Sequence, residues 1–507
     1  MSHEKVAGRQ ERRRERREQS TALTKLLQPL HTLPVYELVG PDALALIEEK
    51  ALHILAEMGI AFLDEEAVGI LQDHGVTVRD QIAYFDPALV AEYVAKAPGR
   101  FTQLARNPDN SVIIGGEHLC FAPVYGPPFV VDRDRGRRDA TLHDFENFVK
   151  LAYLSPYIHH SGGTVVEPTD LPIATRHLDM LYSHIKYSDK PFMGSVTSAA
   201  NAADSVALAE LLFGAETIRQ QPALISLINI SSPRRLDDRM LGALKVYARA
   251  RQALIITPFL LSGAMAPVSI AATLAQLHAE ALAGILFAQM VEPGTPVVYG
   301  AFQTNIDLQS GAPVFGSSES QMALYVSAQL ARRQGLPFRS GGMFTAAKIP
   351  DAQAGYESIM VMLPTLLARV NFVLHAAGWL EGGLAAGYEK FVLDCDFLGM
   401  MHRFLAPLDL SEEAFALDAI REVAPGGHHL GTGHTMRHFR TAFYRSDLMD
   451  YGSAEQWTAL GSKDAYRRAN ERYKHLLHTY EPPPLDPAID NTLLTYIQMR
   501  KGEIMRR

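Results

Sequence analysis

The chain has 507 residues, of which 47% are apolar and 21% are charged, and its formal net charge is -8. This composition is typical of a folded protein with a large core, and the negative charge argues against a nucleic-acid surface. The two cysteines, Cys120 and Cys395, are too few for a disulfide framework. We therefore expect a protein of the reducing cytoplasm.

Residues 1–30 form a basic tail, in which five arginines between positions 12 and 17 alternate with glutamates. We interpret it as a solvated tail, with a docking arm for an acidic partner as the alternative. The stretch Gln252–Gln276 holds no charged residue, but Pro258 and Pro267 interrupt it. We predict a buried strand, a loop and the start of a helix there, and no membrane partner.

Residues 31–116 predict a helical cap, with helices at Asp42–Met58, Glu65–His74 and Pro87–Lys96. From residue 117 to 380 the chain repeats a short apolar strand followed by a longer helical segment. Eight strands are predicted, at Leu119–Pro123, Ile158–Val165, Pro191–Thr197, Ala223–Ile230, Ala253–Phe259, Pro296–Phe302, Pro337–Gly341 and Asn371–Ala376. Residues 381–507 predict a helical C-terminal extension packed on this unit.

Eight strand and helix pairs with continuous apolar strands predict an α/β fold of the TIM (β/α)8 barrel type. A doubly wound open sheet is the competing architecture. It would usually carry a glycine-rich dinucleotide turn after its first strand, and no such turn is present.

In a TIM barrel the loops after the strands carry the chemistry, and here they are rich in aromatic residues. Their ring faces could hold a quaternary ammonium, although for each residue alone ordinary packing is the more common role. The predicted substrate-binding aromatics are Tyr125, Phe129, Tyr299, Phe302, Phe344 and Tyr356.

Polar residues follow the same strands and could bind a substrate carboxylate. They are Ser195, Thr197, Gln303, Asn305, Lys348 and His375. Glu357, near the start of the seventh helix, could balance a substrate cation or hold a water, and helix capping is its alternative role. We predict Glu357, Lys348 and His375 as catalytic, while His375 lies in an apolar strand and could equally be a core histidine.

Small residues at the mouth would let a large flat ligand approach the backbone, which makes Gly162, Gly163, Gly341 and Gly342 candidate cofactor contacts. The segment Pro425–Thr435 packs glycines and three histidines together, and we expect it to fold over the mouth with His434 available for a polar contact. Its histidine spacing matches no helical zinc motif, so no bound metal is predicted.

Four segments resemble the trimethylamine methyltransferase family: Gly300–Ser320 (GAFQTNIDLQSGAPVFGSSES), Gly341–Glu357 (GGMFTAAKIPDAQAGYE), Val373–Asp394 (VLHAAGWLEGGLAAGYEKFVLD) and Pro425–Thr435 (PGGHHLGTGHT). The similarity runs from about Leu30 to about Tyr480. It implies a TIM barrel that moves a methyl group from a small methylated amine to the cobalt of a corrinoid carried by a separate protein, which docks over the barrel mouth.

The chain departs from this family in two places. The founding members carry pyrrolysine in the region of Gly342–Lys348, where this chain has standard residues only. This absence favours a quaternary amine such as glycine betaine over trimethylamine. Ser317-Ser318-Glu319 stands where the family has threonine-proline-glutamate, which changes a helix cap.

Two alternative functions stay open from the sequence. The same barrel could pass the methyl group directly to a folate-like acceptor, or it could bind quaternary amines without catalysis. We also expect a homo-oligomer.

Overall fold

The computed structural model describes residues 28–506, so the predicted basic tail lies almost entirely outside the described residues. The fold is mixed α/β and is built on a parallel sheet that contains seven of the eight predicted strands. In spatial order they are Cys120–Phe121, Phe372–Val373, Phe338–Arg339, Val297–Gly300, Ala253–Ser262, Leu224–Ile230 and Phe192–Met193.

The second predicted strand, Ile158–Val165, is not a regular strand, and its backbone runs between the two edge strands of the sheet. His159 N donates to Phe121 O at 2.9 Å on one side, and Met193 N donates to Gly162 O at 2.8 Å on the other. Gly162 has a φ of +92°, which bends the chain out of the extended conformation. The bend explains why the apolar run predicted a strand in a segment where the backbone forms none.

Helices follow the strands, and consecutive helices pack side by side outside the sheet. They are Leu142–Leu154, Arg176–Tyr187, Ala199–Phe213 with Ala215–Gln220, Asp238–Arg249, Ile270–Val291, Ser318–Arg333 and Ala352–Leu367. The helix Ile270–Val291 is long and apolar enough to cross a membrane, but 83% of its most apolar window is buried in the fold. It is a core helix. The predicted strand, loop and start of a helix at Gln252–Gln276 are therefore confirmed.

One face of the strands encloses an apolar core that includes Ile225, Ile255, Val298 and Phe372. At the amino ends of the strands this core is capped by an antiparallel hairpin, Arg100–Gln103 with Val112–Gly115. Phe101, Val112 and Ile114 of the hairpin belong to the same apolar cluster. The hairpin therefore fills one end of the sheet's interior and leaves the carboxyl end for a site.

The N-terminal region is less helical than predicted, because short strands separate its helices Pro41–His53, Glu65–Asp73 and Pro87–Val94. A π-helical turn, Ile54–Met58, extends the first helix. The strand Ile60–Phe62 pairs with Ile82–Tyr84, and also with Arg235–Leu236 next to the parallel sheet. The strands Thr77–Arg79 and Ile82–Tyr84 form the rest of this sheet. Strands of three residues are too short for alternation to reveal them.

A separate four-stranded sheet joins Phe129–Asp132 and Gly136–Asp139, which follow the first parallel strand, to Trp379–Leu380 and Ala385–Gly387, which follow the last one. The C-terminal helices are Tyr388–Leu405, Glu412–Phe415, Leu417–Arg421, Gly433–His438, Ala454–Ala459, Ala465–His478 and Pro487–Ile504. The last helix is tied to the helix Ala199–Phe213 through Asp204, which accepts hydrogen bonds from Arg500 at 2.7 Å and Tyr496 at 2.9 Å.

Several histidines are buried in neutral form in this core. His184 lies between Ser161 Oγ and Gly163 O, each at 2.7 Å, and His278 Nδ1 lies 2.9 Å from Tyr299 Oη. Burial lowers the pKa of His184 to about 4 and that of His278 to about 3. The folded chain therefore holds these rings without the proton that they bind when exposed to water.

We predict that Gly300→Ala destabilises the fold by about 1–3 kcal/mol, because of overpacking. A Cβ at Gly300 would lie 2.0 Å from Thr257 Oγ1 and 2.6 Å from Ile256 O. The matched control is Gly69→Ala, which lies in a helix and meets no atom within 4 Å. The control should raise stability by roughly 1 kcal/mol, because alanine is the better helix former. Urea midpoints measure both, and equal midpoints would contradict the packing.

We predict that the fold loses stability as the pH falls from about 6.5 towards 4. The unfolded chain takes up protons at its histidines near pH 6.5, whereas the lowered pKa values keep the folded rings neutral until about pH 4. Each such histidine costs about 1.4 kcal/mol per pH unit in that window. His278→Gln should make the decline in the thermal midpoint shallower, with His53→Gln, at an exposed position, as control. Identical pH profiles of wild type and His278→Gln would contradict it.

Candidate active site

The parallel strands are buried along most of their length, but side chains at their carboxyl ends are only half-buried. Asn229 and Phe259 are half-buried near the ends of two neighbouring strands, and Tyr125 and Phe302 are half-buried just after the ends of two other strands. Asn229 and Phe259 share a strand face with the interior residues Ile225 and Ile255, because side chains alternate along a strand. The interior of the sheet therefore opens at this end.

Arg339, at the end of the strand Phe338–Arg339, is 1% exposed and faces this opening. Its guanidinium carbon lies 5.2 Å from the centre of the Phe302 ring. Nε and Nη1 have no hydrogen-bond partner, and no carboxylate among residues 28–506 forms an ion pair with the side chain. Burial lowers the pKa of Arg339 to about 9, so at neutral pH the site still holds an uncompensated positive charge.

His375 links Arg339 to the loop after the first strand. Its Nε2 lies 3.1 Å from Arg339 Nη2, and its Nδ1 lies 3.2 Å from the backbone nitrogen of Tyr125. Burial and the neighbouring Arg339 charge hold the pKa of His375 well below its usual value, so the ring is neutral. A neutral imidazole can accept at only one nitrogen, yet both neighbours are donors. One of the two contacts therefore places the N–H of His375 against another donor. A bound ligand with an acceptor atom would remove this unfavourable contact.

An aromatic cluster forms the wall beside these two side chains. The Phe344 ring centre lies 5.2 Å from that of Phe302 and 5.0 Å from that of Trp379, and His375 lies 4.5 Å from Trp379. Phe315 completes the cluster at 5.3 Å from Trp379. The structure thus brings together Phe302, Phe344 and His375, three of the predicted site residues.

Three of the other predicted aromatics do not join this cluster. Tyr299 is fully buried between the sheet and the helix Ile270–Val291, with its hydroxyl against His278. Phe129 lies in the four-stranded sheet, under the guanidinium of Arg137 at 3.6 Å. Tyr356 is 77% exposed on the helix Ala352–Leu367. The sixth, Tyr125, lies at the opening through its backbone contact with His375.

The predicted polar residues lie around the opening, and several of them already form hydrogen bonds with other residues of the chain. Thr197 Oγ1 accepts from Asn201 Nδ2 at 2.7 Å and is 3.3 Å from Ser195 Oγ. Asn305 Oδ1 accepts from Ser317 Oγ at 2.6 Å. Two residues keep unused donors there. Gln303 Nε2 has no hydrogen-bond partner, and the exposed Lys348 ammonium donates to Ala346 O at 2.9 Å.

Glu357 fixes the loop after the seventh strand. Its carboxylate accepts hydrogen bonds from Thr345 Oγ1 at 2.5 Å, Ala346 N at 2.8 Å and Gln353 Nε2 at 2.9 Å. Through these contacts Glu357 positions the loop at Thr345 and Ala346. Its direct part in catalysis stays a prediction.

A buried ion pair ties the loops after the seventh and eighth strands together. Lys390 Nζ donates to Asp394 Oδ1 at 2.5 Å and lies 3.4 Å from Met343 O, while Asp394 accepts from Gly378 N at 2.9 Å. Breaking such a pair leaves a buried charge uncompensated, which costs several kcal/mol. The pair therefore holds the segments that carry Phe344 and Trp379 in one arrangement.

Protein atoms fill the space beside the four predicted cofactor-contacting glycines. A Cβ at Gly162, Gly163, Gly341 or Gly342 would lie within 2.8 Å of Pro123, Tyr125, Thr365 or His375 respectively. Packing alone therefore explains these glycines, and their contact with a corrin stays a prediction.

His434 lies in the C-terminal segment, where its Nε2 is 3.1 Å from Glu413 O. Glu413, His434 and His438 place their potential metal-binding atoms within 4.8 Å of one another. Arg437 Nη2 is 3.0 Å from Glu413 Oε1, so an arginine already balances that carboxylate.

Sequence reasoning missed Arg339, Phe315 and Trp379 as site residues. A signal for Arg339 was present, because arginine is rarely buried without a partner and this one ends an apolar strand just before Gly341-Gly342. Phe315 gave no such signal, since it lies in a loop and reaches the cluster only through the fold.

The chain matches a family of known proteins along almost its whole length. The model of the trimethylamine methyltransferase (MTTB) family matches residues 5–505. The chain is 44% identical to a glycine betaine methyltransferase of Desulfitobacterium hafniense strain Y51, over 93% of this chain and 98% of that protein. It is 28% identical to the proline betaine:corrinoid methyltransferase of Eubacterium limosum, over 89% and 95% of the two chains.

One further relative by sequence and one solved structure are also similar to this chain. A trimethylamine methyltransferase MttB of Desulfitobacterium hafniense strain DSM 10664 / DCB-2 is 28% identical over 82% of this chain and 84% of its own length. The crystal structure of the hydroxylamine complex of MtmB has a similar fold, with a TM-score of 0.50 at 11% identity over 88% of this chain and 90% of that one. The chain therefore belongs to the trimethylamine methyltransferase family of methyltransferases.

Proposed function

We propose that this methyltransferase takes a methyl group from a quaternary amine that carries a carboxylate, of the glycine betaine kind, and transfers it to the cobalt of a corrinoid held by a partner protein. The observation that carries the choice of substrate is the buried, unpaired guanidinium of Arg339 next to an aromatic wall. The 44% identical glycine betaine methyltransferase supports the same choice.

The charges of the site favour a zwitterion over a simple cation. A substrate carboxylate would pair with the free Nε and Nη1 of Arg339 and relieve the contact between donors at His375. The quaternary ammonium would then meet the ring faces of Phe302 and its neighbours. Trimethylammonium and choline offer no carboxylate, so the positive charge of Arg339 would repel them.

The site has little need of a general acid. A quaternary nitrogen already carries the charge that makes a neutral amine its leaving group, and the cobalt of a reduced corrinoid supplies the nucleophile when the partner docks. The chain's own contribution is to hold the methyl group in line and exclude water. A neutral His375 and a Glu357 carboxylate engaged by the loop both suit this task.

The architecture that supports this proposal is a (β/α)8 barrel whose second strand is the irregular segment 158–163. Backbone hydrogen bonds from His159 to Phe121 and from Met193 to Gly162 support the closure of the ring. The divisions of the chain near residues 117 and 380 also stay part of this proposal. The partner corrinoid protein and the homo-oligomer also belong to the proposal.

We predict that, with free reduced cobalamin, the protein demethylates betaines but neither choline nor trimethylamine. Methylcobalamin formation, followed by absorbance, measures the panel. Activity confined to trimethylamine would overturn the proposal. Betaine binding without turnover would indicate a binding protein, and methyl transfer to tetrahydrofolate without a corrinoid would indicate the folate alternative.

We predict that Arg339→Met lowers kcat/KM for glycine betaine by about a hundredfold, roughly 2.7 kcal/mol, because the carboxylate loses its partner. The same variant should keep or raise the thermal midpoint, since an apolar side chain replaces a buried unpaired charge. Arg251→Met is the control, because Arg251 is exposed and pairs with Glu292. Wild-type turnover in Arg339→Met would remove this residue from the site.

A further inference from the structure

Three potential metal ligands converge in the C-terminal part of the chain. Glu413 lies in the short helix Glu412–Phe415, and His434 and His438 lie in the helix Gly433–His438. One nitrogen from each imidazole and one carboxylate oxygen lie within 4.8 Å of one another. His438 Nε2 is 2.9 Å from Glu413 Oε1, and the centres of the two imidazole rings are 4.6 Å apart. The cluster therefore joins two helices that are separate in the sequence.

The spacing of the two histidines suits a single metal ion. Residues four apart on a helix lie on the same face, so His434 and His438 can bind one ligand together. Histidine pairs with this spacing bind zinc in helical sites, and two imidazoles with one carboxylate are an established zinc ligand set. The sequence-based expectation of no bound metal rested on Pro425–Thr435, and His438 lies beyond that segment.

The charge of Glu413 also suits a metal ligand. Hydrogen bonds from His438 and Arg437 lower the pKa of Glu413 to about 2, so the carboxylate is ionised at neutral pH. Both neighbours contact Oε1, and no partner among residues 28–506 contacts Oε2. The charge of Arg437 opposes a second cation nearby, but these side chains are exposed, so water and salt screen the repulsion. Arg437 can therefore hold Oε1 while Oε2 binds an ion.

The two helices have few other contacts with each other. They do not pack extensively together, and the hydrogen bonds described between them all involve Glu413. Exposed ion pairs of this kind contribute little stability. An ion bound by all three side chains would close the loop between Glu413 and His434 and hold both helices in one arrangement.

We propose that Glu413, His434 and His438 bind a divalent transition-metal ion of the zinc type, and that this ion fixes the loop between the two helices. Zn²⁺ prefers four ligands in a tetrahedron, so the three side chains leave one position for water. Mg²⁺ and Ca²⁺ prefer oxygen ligands and do not suit two imidazoles. The proposal needs neither Arg339 nor His375, so it goes beyond the proposed function and does not depend on it.

The test is calorimetric titration of the chelator-treated full chain, free of any histidine tag, with ZnCl2. We expect one site per chain. The double variant Glu413→Gln/His438→Gln should raise the dissociation constant for Zn²⁺ at least about a hundredfold, because losing a ligand costs more than losing a supporting residue. His428→Gln/His429→Gln is the matched control, since it removes two exposed imidazoles from the same segment and leaves the cluster intact. Circular dichroism reports whether each variant folds.

Hydrogen exchange gives a second measurement. Amides of the helix Gly433–His438 should gain protection when ZnCl2 is added to the wild type or to the control, but not when it is added to the double variant. The proposal fails if the wild type binds no Zn²⁺, if the double variant binds it as tightly as the wild type, or if the control loses as much affinity. Neither measurement contains an amine or a corrinoid, so a failure of the proposed methyl transfer would leave these results unchanged.

Discussion

The arrangement of the active site depends on one interaction that the folded chain leaves incomplete, the charge of the Arg339 guanidinium. A buried charge without a counter-ion is among the most costly groups that a fold can hold. Its neighbours offer only partial compensation, namely the face of Phe302 and the ring of a neutral His375. The rest of the fold has to supply the stability that this site gives up, and the carboxylate of the proposed substrate would restore the missing partner.

Several contacts keep that costly site in shape. Lys390 and Asp394 join the loops after the seventh and eighth strands, and Glu357 holds the turn at Thr345. On the opposite side of the sheet's interior, the hairpin with Phe101 and Ile114 closes the core. The aromatic wall is therefore positioned by groups outside the wall itself, which is how a site keeps its geometry before the substrate arrives.

The sequence was most informative where one periodic signal dominates. The apolar runs at Ala223–Ile230 and Ala253–Phe259 correctly predicted buried parallel strands, and the alternation of strands with helices predicted the α/β class. It was weaker where a single residue changes the backbone, as Gly162 does in the segment 158–163. Side-chain direction was also hidden, because Tyr299 and Phe302 are three positions apart yet face a helix and the opening respectively.

The buried guanidinium also has a consequence for how a reaction cycle ends. A betaine has no net charge, but the amino acid left after loss of one methyl group is an anion until its nitrogen takes up a proton. Arg339 would therefore hold the product more tightly than the starting compound at the moment of formation. Protonation of the product nitrogen from solvent, through the opening beside Phe302, would then limit the rate of product release.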